Sequence, residues 1–398
     1  MKAVWDRKQL GDICEIVNGG TPRTGVLEYW GGDHFWITPA EMGKRLSPYV
    51  DETVRKITDS GLQNSSARLL PRNSVILSSR APIGHLVINT EPMATNQGCK
   101  GLVPTSQLAS KFLYYYLASN VDLLNALGTG TTFKELSSAK LKEVPIPFPL
   151  PSEQERIVAI LDEAFDRIAT AKTNGEKNLQ NARALFDSYL DSVFTRGSEE
   201  WAHTQLGEVC TFENGDRGTN YPSKAVRTVS GIPFINAGHL TEDGIDLERM
   251  DYISRERFNL LGAGKISPGD ILFCLRGSLG KVASVGGLSE GAIASSLVIV
   301  RPSPLVLGPF ILAYFRSRVC SEMIRLFRNG AAQPNLSAGS LKKFAIKIPL
   351  LSIQKKIVHD LDAMRDETRS LESIYREKLA ALEALKKELL HQAFTGAL

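Results

Sequence analysis

The chain repeats itself at an interval of about 200 residues, and this repeat constrains the fold more than any other feature of the sequence. Three blocks recur in the same order: residues 5–20 return as 201–216, residues 71–84 as 268–280, and residues 141–158 as 341–358. The offset is 196 residues at the first block and 200 at the last. Chance similarity does not keep its order over so many separate blocks. The sequence therefore indicates a tandem duplication.

Each copy has two parts of different character. About 150 residues of mixed pattern, punctuated by Gly, Pro and Asn, precede about 45 residues of strongly helical pattern. We therefore divide the chain into residues 1–150, 151–196, 197–350 and 351–398. In the two mixed segments, strands are predicted at residues 74–77, 86–89, 270–275 and 296–301, and one helix per segment at residues 112–127 and 309–328.

The two helical segments carry the apolar spacing of a coiled coil, with alternating intervals of three and four residues. The residues predicted to lie in the seam, where they pack or dock other subunits, are Ile157, Leu161, Ile168, Phe186, Ile357, Leu361, Leu371, Leu382 and Leu389. In the first helix the spacing loses phase near Gly175, which predicts a kink or a stutter.

A helix of about 43 residues is roughly 65 Å long, and a seam of that length needs a partner. Because the first helix leads from one mixed module into the next, the simplest pairing is antiparallel and within the chain. The sequence thus predicts an α+β fold in which two mixed α/β modules alternate with two long helices that form an antiparallel coiled coil. We expect the modules at opposite ends, related by a pseudo-two-fold axis.

The composition is that of a globular protein, with 43% hydrophobic and 23% charged residues among 398. No apolar run approaches the roughly 20 residues that span a bilayer, and Asp6, Arg7 and Lys8 stand where a signal peptide would be apolar. We therefore expect a cytoplasmic protein. Five cysteines and six histidines are scattered without metal-ligand spacing, so we expect buried thiols and no metal site.

The charge is only weak evidence about partners, since the formal net charge is +4. Residues 1–150 and 197–350 each carry three more basic than acidic side chains, whereas the helical segments are neutral or acidic. Neutralisation of phosphates requires this sign. Many unrelated domains carry a similar excess, so charge alone does not establish a nucleic-acid partner.

Three motifs of the chain resemble the HsdS family, the specificity subunits of type I restriction-modification systems. They are the L-G-D-I and G-G-T-P opening at residues 10–22, S-x-R-x-x-x-G at 78–84, and L-x-x-x-x-I-P-x-P-L-P-x-E-Q-x-x-I at 141–157. The resemblance covers essentially the whole chain. It implies two target-recognition domains, residues 1–150 and 197–350, each followed by a conserved spacer helix.

The resemblance also implies a complex on double-stranded DNA. Two methylase subunits would bind S-adenosylmethionine and methylate adenine, and restriction subunits would join through the complex and use ATP and Mg. This chain itself would hold no cofactor. The second copy departs from the motifs at residues 215–219 and 353–355. These departures favour two modules that read different half-sites of a bipartite, asymmetric target.

Polar side chains in the loops of each module are the candidate DNA contacts. Arg80 and Arg276 occupy equivalent positions beside Gly-rich turns, where an arginine reaches a phosphate or a guanine edge. Alternatively, these arginines brace the turns. The other candidates are Thr21, Arg23, Lys44, Arg45, Asn96, Lys134, Arg217, Asn220, Tyr221 and His239. Each of these is equally compatible with a residue that makes no DNA contact.

Motifs of catalysis are missing from the sequence. It contains neither the Asn/Asp-Pro-Pro-aromatic tetrad of an amino-methyltransferase nor a G-K-[ST] phosphate loop. We therefore predict a recognition subunit with no catalytic residue and no metal ligand. Two alternatives remain open: a methyltransferase or nuclease in its own right, and a coiled-coil scaffold that does not bind DNA.

Overall fold

The computed structural model describes residues 5–45, 47–80, 82–130, 134–196, 200–330 and 334–398. The chain forms two compact units. Unit 1 combines residues 1–176 with 377–398, and unit 2 consists of residues 177–376. Each unit therefore contains one mixed module together with part of each long helical segment.

The module of unit 1 is built from short strands and helices. The strands are β1 (Arg7–Gln9), β2 (Cys14–Asn18), β3 (Trp30–Ile37), β4 (Tyr49–Val50), β5 (Arg55–Ile57), β6 (Val75–Ser79), β7 (Ile83–Asn89), β8 (Met93–Thr95), β9 (Cys99–Pro104) and β10 (Pro145–Pro147). The helices are α1 (Leu10–Ile13), α2 (Pro39–Met42), α3 (Asp59–Gln63), α4 (Ser110–Ser119), α5 (Val121–Leu127) and α6 (Ser138–Lys142), and they are followed by the long helix α7 (Pro151–Arg196).

The module of unit 2 has the same kind of composition. The strands are β11 (Ala202–Gln205), β12 (Cys210–Asn214), β13 (Ile232–Ile235), β14 (Leu240–Thr241), β15 (Gly244–Ile245), β16 (Asp251–Ile253), β17 (Ile271–Cys274), β18 (Val282–Ser284), β19 (Ala292–Ile293), β20 (Leu297–Pro302) and β21 (Ala345–Ile348). The helices are α8 (Leu206–Val209), α9 (Arg255–Leu260), α10 (Gly308–Arg316), α11 (Arg318–Phe327), α12 (Ala338–Lys342) and the second long helix α13 (Leu351–Phe394).

The sheets repeat strand by strand. The order β2-β9-β6-β7 in unit 1 returns as β12-β20-β17-β18 in unit 2, and β5-β3-β8 returns as β16-β13-β19. The strands that flank each module also pair, β1 with β10 and β11 with β21. Each smaller sheet contains one parallel pair, β3 with β8 and β13 with β19. The predicted duplication is confirmed, and the copies differ at the sheet edges, where β4 extends one sheet and β14 pairs with β15.

The predicted strands are present as β6, β7, β17 and β20, but the single helix predicted in each module is wrong. Two consecutive helices stand there instead. Between α4 and α5, the side-chain amide of Asn120 donates to the Tyr116 carbonyl oxygen at 2.8 Å. Between α10 and α11, the Ser317 hydroxyl accepts from the Cys320 amide and caps α11. Side-chain hydrogen bonds that compete with a helix do not show in apolar periodicity.

Each module packs against the start of one long helix and the end of the other. In unit 1 the Phe394 ring makes edge contacts with Phe112 and Tyr116, at centroid distances of 5.2 and 5.3 Å. In unit 2 Phe194 contacts Phe310 and Tyr314 in the same way, at 5.2 and 5.6 Å. Burial of one such ring contributes roughly 2–3 kcal/mol. The helix ends are thereby fixed to the modules.

The two long helices pair antiparallel, as predicted. In unit 1, Arg156 of α7 contacts Leu398, and Lys172 of α7 contacts Glu383 of α13. Residue numbers therefore rise along α7 while those of the contacted residues fall, which is the antiparallel direction. In unit 2, Arg183 contacts Glu372 and Phe186 contacts Arg365 in the same sense. Of the predicted seam residues, Ile157, Leu161, Ile168 and Leu361 are buried, and Phe186, Ile357, Leu382 and Leu389 are half-buried.

One residue of the predicted seam lies outside it. Leu371 is 41% exposed, and the seam position at this level is Glu372, whose side chain is 16% exposed and pairs with Arg183. The helix α7 continues without a break through Lys172, which is half-buried, and Gly175, which is buried. A Cβ at Gly175 would lie 3.1 Å from the Leu379 side chain. A prediction that uses apolar residues alone misplaces a seam that contains charged residues and glycine.

The five cysteines are buried free thiols, as the sequence predicts. Burial raises the pKa of the Cys14, Cys99 and Cys210 thiols to about 12, so these groups stay protonated at neutral pH. Within the described ranges, no group of His, Cys, Asp or Glu is arranged to hold a metal ion. No described helix has the length and apolarity that would let it cross a membrane.

Candidate nucleic-acid interface

Three loops of unit 1 meet at one surface. Thr21 follows β2, and its hydroxyl accepts a hydrogen bond from the Asn96 side-chain amide at 3.0 Å. The Asn96 side-chain oxygen accepts from the Gly98 amide at 2.7 Å, and the Gly98 carbonyl accepts from the Ser79 amide at 2.8 Å. Because Ser79 directly precedes Arg80, the structure brings Thr21, Asn96 and Arg80 together.

Unit 2 forms the same surface with different side chains. Arg217, in the loop after β12, donates to the Ser295 carbonyl oxygen at 3.3 Å. The Leu275 amide donates to the Ser296 carbonyl oxygen at 2.8 Å, directly before Arg276. Arg217 and Arg276 are both exposed. We call the surface around Thr21, Asn96 and Arg80, and its counterpart around Arg217, Ser295 and Arg276, the convergent surface of each unit.

The arginine of each convergent surface also contacts a second loop. Arg80 forms a β-bridge with Glu135, and its guanidinium lies 3.7 Å from the Glu135 carboxylate. Arg276 bridges Asn335 in the same way and donates from Nε to the Asn335 side-chain oxygen at 3.2 Å. The arginines thus occupy equivalent positions, one facing a carboxylate and the other a neutral amide. The adjacent residues 131–133 and 331–333 lie outside the described residues.

The turns beside these arginines require glycine. Gly84 has φ +113° and Gly280 has φ +85°, in the region that L side chains rarely adopt. A Cβ at Gly84 would lie 2.6 Å from the Val121 side chain, and one at Gly280 would lie 2.9 Å from that of Ile324. The arginine-turn-glycine pattern seen in the sequence is therefore a fixed backbone geometry in both units.

A buried amine lies next to the convergent surface of unit 1. Lys100 on β9 is 7% exposed, and its ammonium donates to the Asn18 side-chain oxygen at 2.7 Å. Burial lowers the pKa of Lys100, Glu135 opposes this shift, and the charge of Arg80 adds to it. Sequence reasoning missed Lys100, although a lysine inside the apolar strand β9 is a visible signal. The equivalent position in unit 2 is Val298, so the amine belongs to one copy alone.

A cleft of about 390 Å³ adjoins the arginine turn of unit 2. Two exposed basic residues line it, Lys281 and Arg328, together with Ser278 and Pro334. Lys281 also donates to the Ala237 carbonyl oxygen at 3.3 Å. Sequence reasoning missed both basic residues. Lys281 carried a signal, since it directly follows the glycine of the repeated turn.

Most other candidates remain at the surface. Arg23, Lys44 and Lys134 are exposed in unit 1. In unit 2, Asn220 is half-buried and donates to the Leu260 carbonyl oxygen at 3.1 Å. Tyr221 is also half-buried, and its ring lies edge-on to Phe234 at a centroid distance of 5.8 Å. Asn220 and Tyr221 therefore fix the loop that carries Arg217.

Two candidates are held inside their modules. The Arg45 guanidinium pairs with Glu41 at 2.9 Å, and its side chain is 24% exposed. His239 is 6% exposed, and its Nδ1 accepts from the Asn236 amide at 3.2 Å. Neither side chain belongs to the convergent surface as described above.

The family model of the type I restriction modification DNA specificity domain matches the chain twice, at residues 3–180 and 198–381. The chain belongs to this family. The two matches correspond to the two copies of the repeat, so each copy is one specificity domain of the family. Membership also accounts for the missing catalytic motifs, because the family provides recognition in type I restriction-modification systems.

Relatives agree with this membership. The chain is 29% identical to the type I restriction enzyme MjaIX specificity subunit of Methanocaldococcus jannaschii over 372 residues, which is 88% of this chain and 84% of the relative. It is 33% identical to the EcoR124I/EcoR124II specificity subunit of Escherichia coli over 196 residues, which is 47% of this chain and 48% of that one.

Solved structures share the fold. A chain solved in a study of complex assembly and conformational transition of the type I R-M system has a TM-score of 0.78 at 19% identity, covering 99% of this chain and 98% of that one. The HsdS subunit from Thermoanaerobacter tengcongensis has a TM-score of 0.64 at 18% identity, covering 99% and 97%. The family fold of two recognition modules and two coiled-coil helices is therefore present here.

Proposed function

We propose that the chain directs a type I restriction-modification complex to a bipartite, asymmetric DNA site, and that each module reads one half. Residues 1–150 and 197–350 are the recognition domains, and residues 151–196 and 351–398 are the spacer helices. The observation that carries this proposal is the convergent surface, which recurs at the same place in both modules with different side chains. The equivalent position of the two surfaces supports a shared role in DNA recognition, and their different side chains support recognition of different half-sites.

The side chains divide into two groups by what they can reach. Arg80, Asn96, Arg217 and Arg276 lie at the convergent surfaces and carry the donors and acceptors that base edges require. Exposed cations around them neutralise phosphates and set the register on DNA; these are Arg23, Lys44, Lys134, Lys281 and Arg328. We assign Thr21, Arg45, Asn220, Tyr221 and His239 to holding the loops in place.

Partner subunits dock on the helical part of the chain in this proposal. Leu150 and Leu350 directly precede the two long helices, and each is 75% exposed. Equivalent exposed leucines at equivalent places suit two copies of one partner, which we propose to be two methylase subunits. Those subunits bind S-adenosylmethionine, and restriction subunits with ATP and Mg join through the complex. A scaffold without DNA binding is not favoured, because both modules match the specificity domain.

Substitution of Arg80 or Arg276, the arginines that follow β6 and β17 at the two convergent surfaces, tests whether each module reads one half-site. We expect Arg80→Ala to relax base preference in one half of the site only, and Arg276→Ala in the other half only. Loss of one bidentate base contact costs about 1–3 kcal/mol, or roughly 5- to 150-fold in discrimination. The measurement is binding of the chain with its methylase partner to duplexes that differ in one half-site. Arg255→Ala, on an exposed arginine paired with Glu290, is the control.

If either variant relaxes both half-sites equally, or neither affects any position, the assignment of one module to one half is wrong. A uniform loss of affinity with unchanged base preference would move both arginines to the phosphate-binding group.

Aspartate at the two exposed leucines tests the docking of methylase subunits. We expect Leu150→Asp and Leu350→Asp each to remove one methylase subunit from the complex, because a charge cannot be buried in an apolar contact without a large cost. The double variant should bind none. Native mass spectrometry counts the subunits directly. Val229→Asp, at a side chain 98% exposed, serves as the control. Retention of two methylase subunits by the double variant would contradict this docking site.

A further inference from the structure

The long helices carry a charge pattern that differs between the two copies. In unit 1, Lys172 of α7 lies 2.7 Å from Glu383 of α13. In unit 2, Arg183 of α7 lies 3.0 Å from Glu372 of α13. At the helix offset of 200 residues, positions 172 and 372 are equivalent, as are 183 and 383. The first copy therefore supplies both cations and the second copy supplies both anions.

A second pair of equivalent contacts follows the same rule. In unit 1, the Lys386 ammonium lies 5.1 Å from the centroid of the Phe165 ring. In unit 2, the Arg365 guanidinium lies 5.6 Å from the centroid of the Phe186 ring. Positions 165 and 365 are equivalent, as are 186 and 386. The first copy supplies both rings, and the second copy supplies both cations.

The apolar anchors, by contrast, do not distinguish the copies. Ile157 and Leu161 at the start of α7 match Ile357 and Leu361 of α13, and the buried ends of the two helices carry the same residue types at equivalent places: Leu190 and Leu390, Phe194 and Phe394. At these places, a helix of one copy would offer the same residue types to the same helix of a second chain as to its own partner.

Pairing of like copies would bring like charges together. In the observed register, α7 against a second α7 places Lys172 opposite Arg183 at two symmetric positions. Likewise, α13 against a second α13 places Glu372 opposite Glu383, and Arg365 opposite Lys386. Like charges at facing positions of paired helices are destabilising, and such positions determine partner choice in coiled coils.

We propose that these charges make each long helix select the helix of the other copy and reject a second copy of itself. The equivalent apolar residues at the helix ends favour neither partner, whereas the charged positions favour the helix of the other copy. The charge pattern consequently disfavours a two-chain form in which α7 pairs with a second α7 and α13 with a second α13. This proposal concerns the pairing of the helices and does not depend on DNA recognition.

The size of the effect follows from the number of contacts exchanged. Two chains that pair α7 with α7 and α13 with α13 replace four opposite-charge contacts by four like-charge contacts at positions 172, 183, 372 and 383. Each replacement at an exposed helix pair shifts the equilibrium by roughly fivefold. Four replacements therefore favour the single-chain form by several hundredfold, as an order of magnitude. High salt reduces this factor, because three of the four side chains, Lys172, Arg183 and Glu383, are exposed.

Charge exchange within one pair is the sharpest test. The double variant Lys172→Glu with Glu383→Lys keeps the contact within the chain, with its polarity reversed. Position 172 then carries a charge opposite to Arg183, and position 383 one opposite to Glu372, so each helix becomes complementary to itself. We expect the ratio of two-chain to one-chain species after refolding at low salt to rise about a hundredfold or more. Light scattering behind a sizing column measures this ratio on the full chain.

Three further variants complete the test. Arg183→Glu with Glu372→Arg should raise the ratio as much as the first exchange. All four substitutions together should return it to the wild-type value, because like charges then face each other again wherever like helices pair. Lys172→Arg with Glu383→Asp keeps the sign of both charges and should behave as the wild type. Every variant keeps opposite charges between α7 and α13, so circular dichroism should stay unchanged. The variants with Glu372→Arg also lose the pair of Glu372 with Arg376 and should melt at a slightly lower temperature.

An unchanged ratio in a correctly folded exchange variant would overturn the proposal. A raised ratio in the variant with all four substitutions would overturn it as well, because the charge pattern would then have no bearing on exchange. Should one exchange variant fail to fold, the other exchange gives the same decision.

Discussion

A single buried glutamine fixes the start of each long helix. Gln154 and Gln354 are fully buried, and each carries three hydrogen bonds with main-chain groups. The Gln154 side-chain oxygen accepts from the Ala109 amide at 2.8 Å, and its amide donates to the Pro149 carbonyl at 2.9 Å. Gln354 accepts from the Leu307 amide at 2.8 Å and donates to the Pro349 carbonyl at 2.8 Å. This explains why the glutamine of the repeated helix-start motif is present in both copies.

Replacement of either glutamine by leucine should destabilise the unit in which that glutamine links the module to the long helix. We expect Gln154→Leu and Gln354→Leu each to lower the free energy of unfolding by roughly 2–4 kcal/mol, because three buried main-chain groups lose their partners. The effects should add in the double variant, since the two residues share no partner. Urea unfolding measures both. Glu153→Gln, at the exposed pair with Arg156, is the control and should cost under about 1 kcal/mol. Equal costs at Gln154 and Glu153 would contradict this role.

Unit 2 also contains a partly buried ion network, in which the side chains of Arg301 and Glu213 are 34% and 31% exposed. Arg301 of β20 pairs with Asp270, whose side chain is 3% exposed, and with Glu213 of β12. Burial would raise the pKa of Glu213, but hydrogen bonds from Arg301 and the Gly264 amide bring it below its usual value. The equivalent strand positions in unit 1 are Val17 and Val103. The two modules thus stabilise the same pair of strands by different means.

The network predicts a pH dependence confined to unit 2. The folded-state pKa of Glu213 is depressed, so its contribution to stability is present above the unfolded-state value and is lost as the pH falls through the folded-state value. Arg301→Met should cost roughly 3 kcal/mol near pH 7, and the cost should shrink in acid as the carboxylates protonate. Hydrogen exchange of the β12 and β20 amides against pH measures this. Equal acid sensitivity of β2 and β9 would contradict the assignment.

At the scale of elements, the sequence predicts the two long helices, the strands beside the arginine turns and the duplication, because these depend on apolar periodicity and turn residues. It misplaces Leu371, because Glu372 enters the seam through its pairing with Arg183. It also predicts a stutter at Gly175, where a residue without a Cβ admits Leu379. Convergence of the loops was beyond prediction, since it depends on hydrogen bonds between residues as far apart as Thr21 and Asn96.

The corrected seam predicts unequal costs for equal substitutions. Leu161→Ala removes a fully buried side chain and should lower the free energy of unfolding by about 2–5 kcal/mol. Leu371→Ala removes a side chain that is 41% exposed and should cost under about 1 kcal/mol. Thermal unfolding of the two variants compares the same chemical change at two places. Similar costs would show that Leu371 belongs to the seam after all.

At the scale of the whole molecule, the paired helices should set the distance between the half-sites. Antiparallel contacts at 172 with 383 and at 183 with 372 define a register in which removal of residues 174–180 and 375–381 shortens both helices by the same seven residues. Seven residues correspond to about 10 Å of helix. We expect a shorter spacer with unchanged half-site bases, measured by methylome sequencing of a host with the complete system. Altered half-site bases would contradict a spacer role.

The central claim is that each module reads its own half-site, and the repeat allows it to be tested directly. Strands β1 and β10 flank one module as β11 and β21 flank the other, so residues 7–147 can replace residues 203–347 in register. The resulting chain carries the first module twice. Methylome sequencing of a host that expresses the complete system with this chain should reveal a site whose two halves carry the same bases. A site that keeps the two different halves of the original would contradict the account.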